Sequence, residues 1–307
     1  MNRISTLSAL TLFLIGCGGN SGDSPNQLAA ASLADDIRYY AHITTTTSVS
    51  NIWPTNTIAD AFFTEFPDLT SASLLLSDFE FELGCNVVRQ TRQEMESSTE
   101  NAVAGIPEGV GVSAGDNLTI TSPSGTWAEL IPYKYDLGYE NGVDYPGEYT
   151  TERENSDGDL GVMPDNAVLD VPGDVFPQLR NVALLGSGAL SGVEVRENGA
   201  QLTSNAEPKT PATSFHWDPI NSNGNSFIYI ALTNIEESSD PAADVFSSVG
   251  CIVEDTGSFF FPESIAAQMD ASYESYFLSR FQYKWEQRGN VLITQLSLSY
   301  YYDFDGF

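Results

Sequence analysis

The C-terminal stretch 276–302 constrains the fold of this chain more than any other. Residues 276–285 and 291–302 are runs of aromatic, aliphatic and hydroxyl side chains flanking Gln287-Arg288-Gly289-Asn290. Gly and Asn accept positive φ at low cost, so the pair predicts an antiparallel β-hairpin. A lone hairpin is marginal in water and needs further strands beside it. The rest of the chain offers them at 42–50, 73–83, 117–122, 126–135, 193–196, 227–233 and 251–254, separated by Gly, Pro, Asn and Asp. No long segment carries the 3.6-residue apolar stripe of an amphipathic helix, although Ala- and Leu-rich residues 27–40 predict one short helix. The expected class is mostly β, as one or two tandem antiparallel β-sandwich (Ig-like) domains with few short helices.

An internal echo favours the tandem arrangement. Residues 165–172, followed by Gln178 and Leu179, match residues 255–262, followed by Gln268 and Met269, at an offset of 90 that also superposes Trp127 on Trp217. In each copy a turn leads into a short apolar strand, and Pro172 or Pro262 then opens a helical turn carrying Val175 or Ile265, a position where proline is comfortable. The residues between barely match, and chance convergence is the competing explanation. The expected boundaries are 41–180 for a first sandwich and 181–307 for a second. An outer-membrane barrel is not expected despite the alternation over 292–302 and the terminal Phe307, because too few ten-residue alternating segments exist.

With 41% hydrophobic and 11% aromatic residues there is ample material for a core. The charge is lopsided: 12 Lys+Arg against 42 Asp+Glu, a formal net charge of −30. Such a surface repels phosphate backbones, which argues against nucleic-acid binding, and it equally repels anionic lipid headgroups. It suits salty water, where screening limits self-repulsion; carboxylates are also what calcium selects.

Residues 1–17 say where such a chain goes. Arg3 precedes an apolar run from Leu7 to Ile15, followed by Leu14-Ile15-Gly16-Cys17 at its end. The run is too short to span a bilayer as a helix and reads as a cleaved secretory signal, residues 1–16. The tetrapeptide resembles the lipobox of bacterial lipoproteins. The resemblance implies cleavage before Cys17, a diacylglycerol on its sulfur and an acyl chain, such as palmitate, on its new amino group. Residues 17–40 would then hold the lipidated cysteine and a tether whose 18–26 segment is Gly-, Ser- and Asn-rich. Gly18, rather than Asp, follows the cysteine, which in Gram-negative lipoproteins implies the outer membrane. Membrane attachment is then through the lipid anchor, and the partner at the surface is a protein or a glycan.

Candidate chemistry is sparse. With Cys17 acylated, Cys85 and Cys251 form an even pair in an oxidising compartment, and a disulfide is expected; two separately buried thiols are the alternative. Gly111-Val-Ser113-Ala-Gly115 matches the nucleophile-elbow pattern, but a turn and a strand follow where an elbow needs a helix. Only His42 and His216 could serve as bases or ligands, and neither sits in a zinc pattern, so both read as structural or surface residues. The 42 acids single out no glycosidase pair. Trp53, Trp127, Trp217, Trp285 and Tyr300-Tyr301-Tyr302 could stack on sugars but serve equally in a core. The expected function is a non-catalytic binding or structural module of the envelope, with a lipid-anchored hydrolase as the alternative. No organic cofactor is expected.

Asn155, Asp157 and Asp159 alternate oxygen side chains as a calcium loop does, but Leu160 and Asn166 occupy the Gly and Glu places of an EF-hand. A solvated turn is the competing reading. The two separate in a thermal melt of residues 18–307 with calcium and then chelator. Calcium at ~100 times its dissociation constant adds ~2.7 kcal/mol, lost in Asp157→Asn with Asp159→Asn; an unshifted melt leaves the acids as surface charge.

Overall fold

A computed structural model describes residues 37–50, 54–66, 83–91, 110–135, 143–151, 160–202, 209–220, 225–236 and 244–302. The lipobox, most of the tether, Trp53, the run 73–82 and the 155–159 loop therefore lie outside the described residues. The protein is mostly β. In chain order its strands are β1 (Tyr39–Ser50), β2 (Asn56–Glu65), β3 (Gly84–Thr91), β4 (Val110–Gly111), β5 (Leu118–Ser122), β6 (Gly125–Tyr135) and β7 (Val143–Thr150). They continue as β8 (Val168–Val171), β9 (Leu179–Ala183), β10 (Glu194–Glu197), β11 (Ala200–Gln201), β12 (Thr213–His216), β13 (Ser226–Glu236) and β14 (Val245–Glu254). β15 (Ser258–Phe260), one helical turn α1 (Glu263–Ala266), β16 (Ser275–Arg288) and β17 (Val291–Tyr302) complete them.

The C-terminal hairpin forms as expected. β16 and β17 pair from Leu278↔Tyr301 to Arg288↔Val291 across Gly289-Asn290, with Gly289 at φ 59°. The hairpin sits inside a 13-stranded sheet of order β3-β14-β13-β16-β17-β1-β2-β7-β6-β5-β8-β9, with β4 added to β2. Its one parallel ladder joins the first strand to the last, from Tyr39↔Val291 to Ser50↔Tyr302. A second sheet of order β11-β10-β12-β15 is antiparallel throughout.

Residues 41–180 and 181–307 share one continuous sheet, which carries separate apolar clusters. The first encloses Ile43, Ala61, Phe63, Leu118, Leu130, Leu169 and Phe176 and also takes Val182 from β9 and Val291 and Ile293 from β17. In the second, the small sheet packs Val195 and Phe215 against Ile228, Ile230, Leu232, Val249 and Leu278 of the large sheet. The opposite face there carries Phe227, Tyr229, Phe281, Leu298 and Tyr300, also buried. Covering on both faces explains why β13 reads as the unbroken run Phe227-Ile-Tyr-Ile-Ala-Leu232 rather than as an alternation.

The 90-residue echo is not a structural repeat. β8 lies in the large sheet and β15 in the small one. Pro262 leads into α1, but the segment after Pro172 is not helical, and Val175 stands 53% exposed. Trp217 donates Nε1–H to Asp255 at 2.6 Å, whereas Trp127 donates to the Leu160 carbonyl at 3.2 Å. Tyr39 and Tyr40, placed in the expected N-terminal helix, begin β1 instead.

The link 184–191 between the two cores forms no strand; its ends bond to backbone, Leu184 N–H to the Ala167 carbonyl and Asp218 N–H to the Ser191 carbonyl, and side chains serve much of the stretch between. β16 and β17 supply them from one face. Gln295 accepts from Leu185 N–H at 3.0 Å and donates to the Ala183 carbonyl at 3.0 Å. Ser297 donates to Gly186 at 2.9 Å, and Ser299 accepts from Leu190 N–H at 2.9 Å. Lys284 reaches the Ala183 carbonyl, Arg288 the Arg180 carbonyl at 2.7 Å, and Arg280 those of Gly188 and Ala189.

Arg280 and Asp255 are buried, at 0% and 2% side-chain exposure, with Nε and Oδ2 2.9 Å apart. Ser226 donates to Oδ2 at 2.8 Å, so the carboxylate accepts from three side chains at once. A buried pair is strongly destabilising when one member is removed. Asp255→Ala is expected to cost about 3–5 kcal/mol in urea unfolding, and the double variant with Arg280→Met less than the sum of the singles. Additive losses would show that the two groups act independently.

Candidate functional site

Cys85 and Cys251 are directly opposed in the β3·β14 ladder, with Cα atoms 4.0 Å apart, and their sulfurs are bonded. β3 reaches the far edge of the sheet from the N-terminal range, so this bridge spans 166 residues of chain and ties the two ranges together. Cys251 is buried in the second core.

Ser113 lies in an extended link between β4 and β5, not on a strand-to-helix turn. Its carbonyl accepts from Phe176 N–H at 2.9 Å, and its Oγ accepts from Gly115 N–H at 3.4 Å. Gly115 has φ 114°, and a Cβ there would stand 2.5 Å from Cγ of Pro172. Packing, not an exposed nucleophile, explains the glycine. Among the described residues no hydrogen bond joins Ser113 to His42 or His216, and no three His, Cys, Asp or Glu side chains converge as a metal site. Asn155, Asp157 and Asp159 lie outside the described residues.

His42 belongs to a polar cluster on the face of β1 opposite the first core. Register places Trp285, Thr294, His42, Phe62 and Glu148 side by side across β16, β17, β1, β2 and β7. Thr294 donates to the Tyr40 hydroxyl at 2.8 Å, and its own oxygen lies 2.9 Å from Nδ1 of His42. Thr44 stands 3.0 Å from Nε2. Loss of water pushes the imidazole pKa down to about 4, so the ring is neutral and already bonded at both nitrogens. Burial, and then the charge of Asp60, raise the carboxyl pKa of Glu148. Burial raises that of the Tyr283 hydroxyl in the same way. Perturbed groups on one face are the usual mark of a site, but here His42 serves the sheet.

The solvent face of the small sheet is different. Its inward residues Val195, Phe215 and Phe259 belong to the second core, which turns Glu194, Arg196, Ser214, His216, Ser258 and Phe260 outward. Phe260 is 64% exposed, and the His216 ring meets it edge-on at a centroid distance of 5.8 Å. Ser214 lies between Arg196 and Phe260 in register. Arg196 Nη2 and Glu194 Oε2 are 2.6 Å apart, and both side chains remain about two-fifths exposed (42% and 41%). This face can offer an apolar ring, a guanidinium and a carboxylate to a ligand without disturbing the core. From the sequence only His216 was weighed here; Phe260 is masked by its neighbours in the run Phe259-Phe260-Phe261, and only strand alternation distinguishes it.

No protein-family model matches this chain, and comparison with curated proteins returns no match.

The unfolded imidazole takes its proton near pH 6.5 and the folded His42 near pH 4. Unfolding therefore takes up a proton between these values, and stability falls as pH drops through that window, by up to about 3 kcal/mol. Glu148 acts in the opposite sense, so the test is the difference between wild type and His42→Gln in urea midpoints from pH 7 to pH 4. The variant should lose most of the slope; an unchanged slope would assign it to the acids.

Proposed function

We propose that this protein is a lipid-anchored, non-catalytic binding module of a bacterial envelope, tethered to the outer membrane through an acylated Cys17. The observation that carries the non-catalytic reading is where its candidate catalytic groups are spent. His42 is bonded between Thr44 and Thr294, Asp255 is neutralised by Arg280, and Ser113 accepts from its own loop. None of these groups presents a free base beside a free nucleophile. What remains accessible is surface: sheet edges, a dense negative charge and the outward face of the small sheet.

Two Ig-like sandwiches, one on each core, are the finer architecture we favour; the packing of small sheet on large sheet supports this for residues 181–307. Calcium, held by Asn155, Asp157 and Asp159, is the cofactor such a module would take in its acid-rich loop, and a glycan or protein its partner.

The test is expression of the full chain in a Gram-negative host fed an alkyne analogue of palmitate. The label should appear on the protein in the outer-membrane fraction and vanish in Cys17→Ser, which should accumulate unprocessed. An unlabelled wild type would remove the anchor. Turnover of ester or glycoside substrates that is lost in Ser113→Ala or His42→Gln would replace the binding role with the hydrolase alternative.

A further inference from the structure

Resting on that binding role, the geometry points to a specific platform: the outward face of β10, β12 and β15 holds a neutral saccharide chain, with Phe260 as the stacking ring. Single exposed apolar residues are ordinary on protein surfaces. Phe260 is set apart by its surroundings. Phe259 and Phe261 on either side of it pack into the second core, which holds the short strand in place. The His216 ring stands perpendicular to that of Phe260, at an interplanar angle of 84°, and Phe260 remains 64% exposed beside it. A ring fixed in advance loses little freedom on binding.

The polar groups beside the ring suit hydroxyls. Arg196 lies two strands from Phe260, with Ser214 between them in register, so their backbones are ~10 Å apart. Ser214 between them is buried, so the accessible groups of this face are the ring at one end and the ion pair at the other. Arg196 and Glu194 face outward as a bonded pair, together presenting donors and acceptors with no net charge. A sugar ring has the complementary surface: apolar C–H groups on one face and hydroxyls around its rim that both donate and accept.

Charge selects the class of saccharide. The chain carries a formal net charge of −30, which repels polyanions, and the guanidinium of Arg196 is already neutralised by Glu194. Uronic-acid and sulfated polymers are therefore disfavoured, and neutral hexose or pentose chains are the ligands that fit.

The experiment is native affinity electrophoresis of the full mature chain in detergent, through gels containing dextran, galactomannan, xyloglucan or arabinoxylan, with alginate and heparin as anionic comparators. At least one neutral polymer should retard the protein and neither anionic one should. Phe260→Ala should weaken retardation at least tenfold, Phe260→Trp should retain it, and Val175→Ala, exposed elsewhere, should leave it unchanged. Retardation by no neutral polymer, or by the anionic ones preferentially, overturns the inference and directs attention to a protein partner. Retardation that survives Phe260→Ala overturns the platform while leaving a glycan-binding module. Loss of gel viscosity on incubation would overturn the non-catalytic reading and leave the platform standing.

Discussion

The parallel ladder between β1 and β17 is the constraint on which the rest of the structure depends. It places the first described strand beside the last, in the middle of the large sheet. On one side lie β2, β7, β6, β5, β8 and β9; on the other lie β16, β13, β14 and β3. Without this ladder the two groups would be separate sheets with two more edges open to water or to other chains. A parallel pair cannot be closed by a tight turn. The chain between must first form enough structure to return its C-terminus to its N-terminus, and such high contact order slows folding.

The second element of order is polar. The link 184–191 crosses the face of β16 and β17 without a strand of its own, and Arg280, Lys284 and Arg288 reach its carbonyls or those just before it. Only 12 basic residues exist in the whole chain, so three of them on one strand face is a notable commitment. The buried Arg280–Asp255 pair lies at the end of this row and joins it to Trp217 and Ser226. Basic charge is used inside to hold backbone.

Groups with shifted pKa values, His42, Glu148 and Tyr283, share one half-buried face of the large sheet, where hydroxyl partners already satisfy His42. The solvent face of the small sheet keeps its ring and its ion pair accessible.

The sequence by itself determined the mostly β class, the hairpin around Gly289 and the strands that alternate or run unbroken, and it made Cys251 the expected partner of Cys85. These follow from side-chain period and turn residues, which act over a few positions. It did not reveal β2, whose Ala59 and Ala61 lower its apolar signal, or β3 and its place at the opposite edge. The 90-residue echo was legible but misleading, because similar local runs can enter different sheets. Which strand pairs with which, which face of β12 and β15 meets solvent, and that Asp255 meets Arg280 were decided only by the tertiary structure. The physical reason is that period tells a strand it has two faces, whereas the partner for each face is chosen by burial and hydrogen-bond satisfaction among residues far apart in the chain.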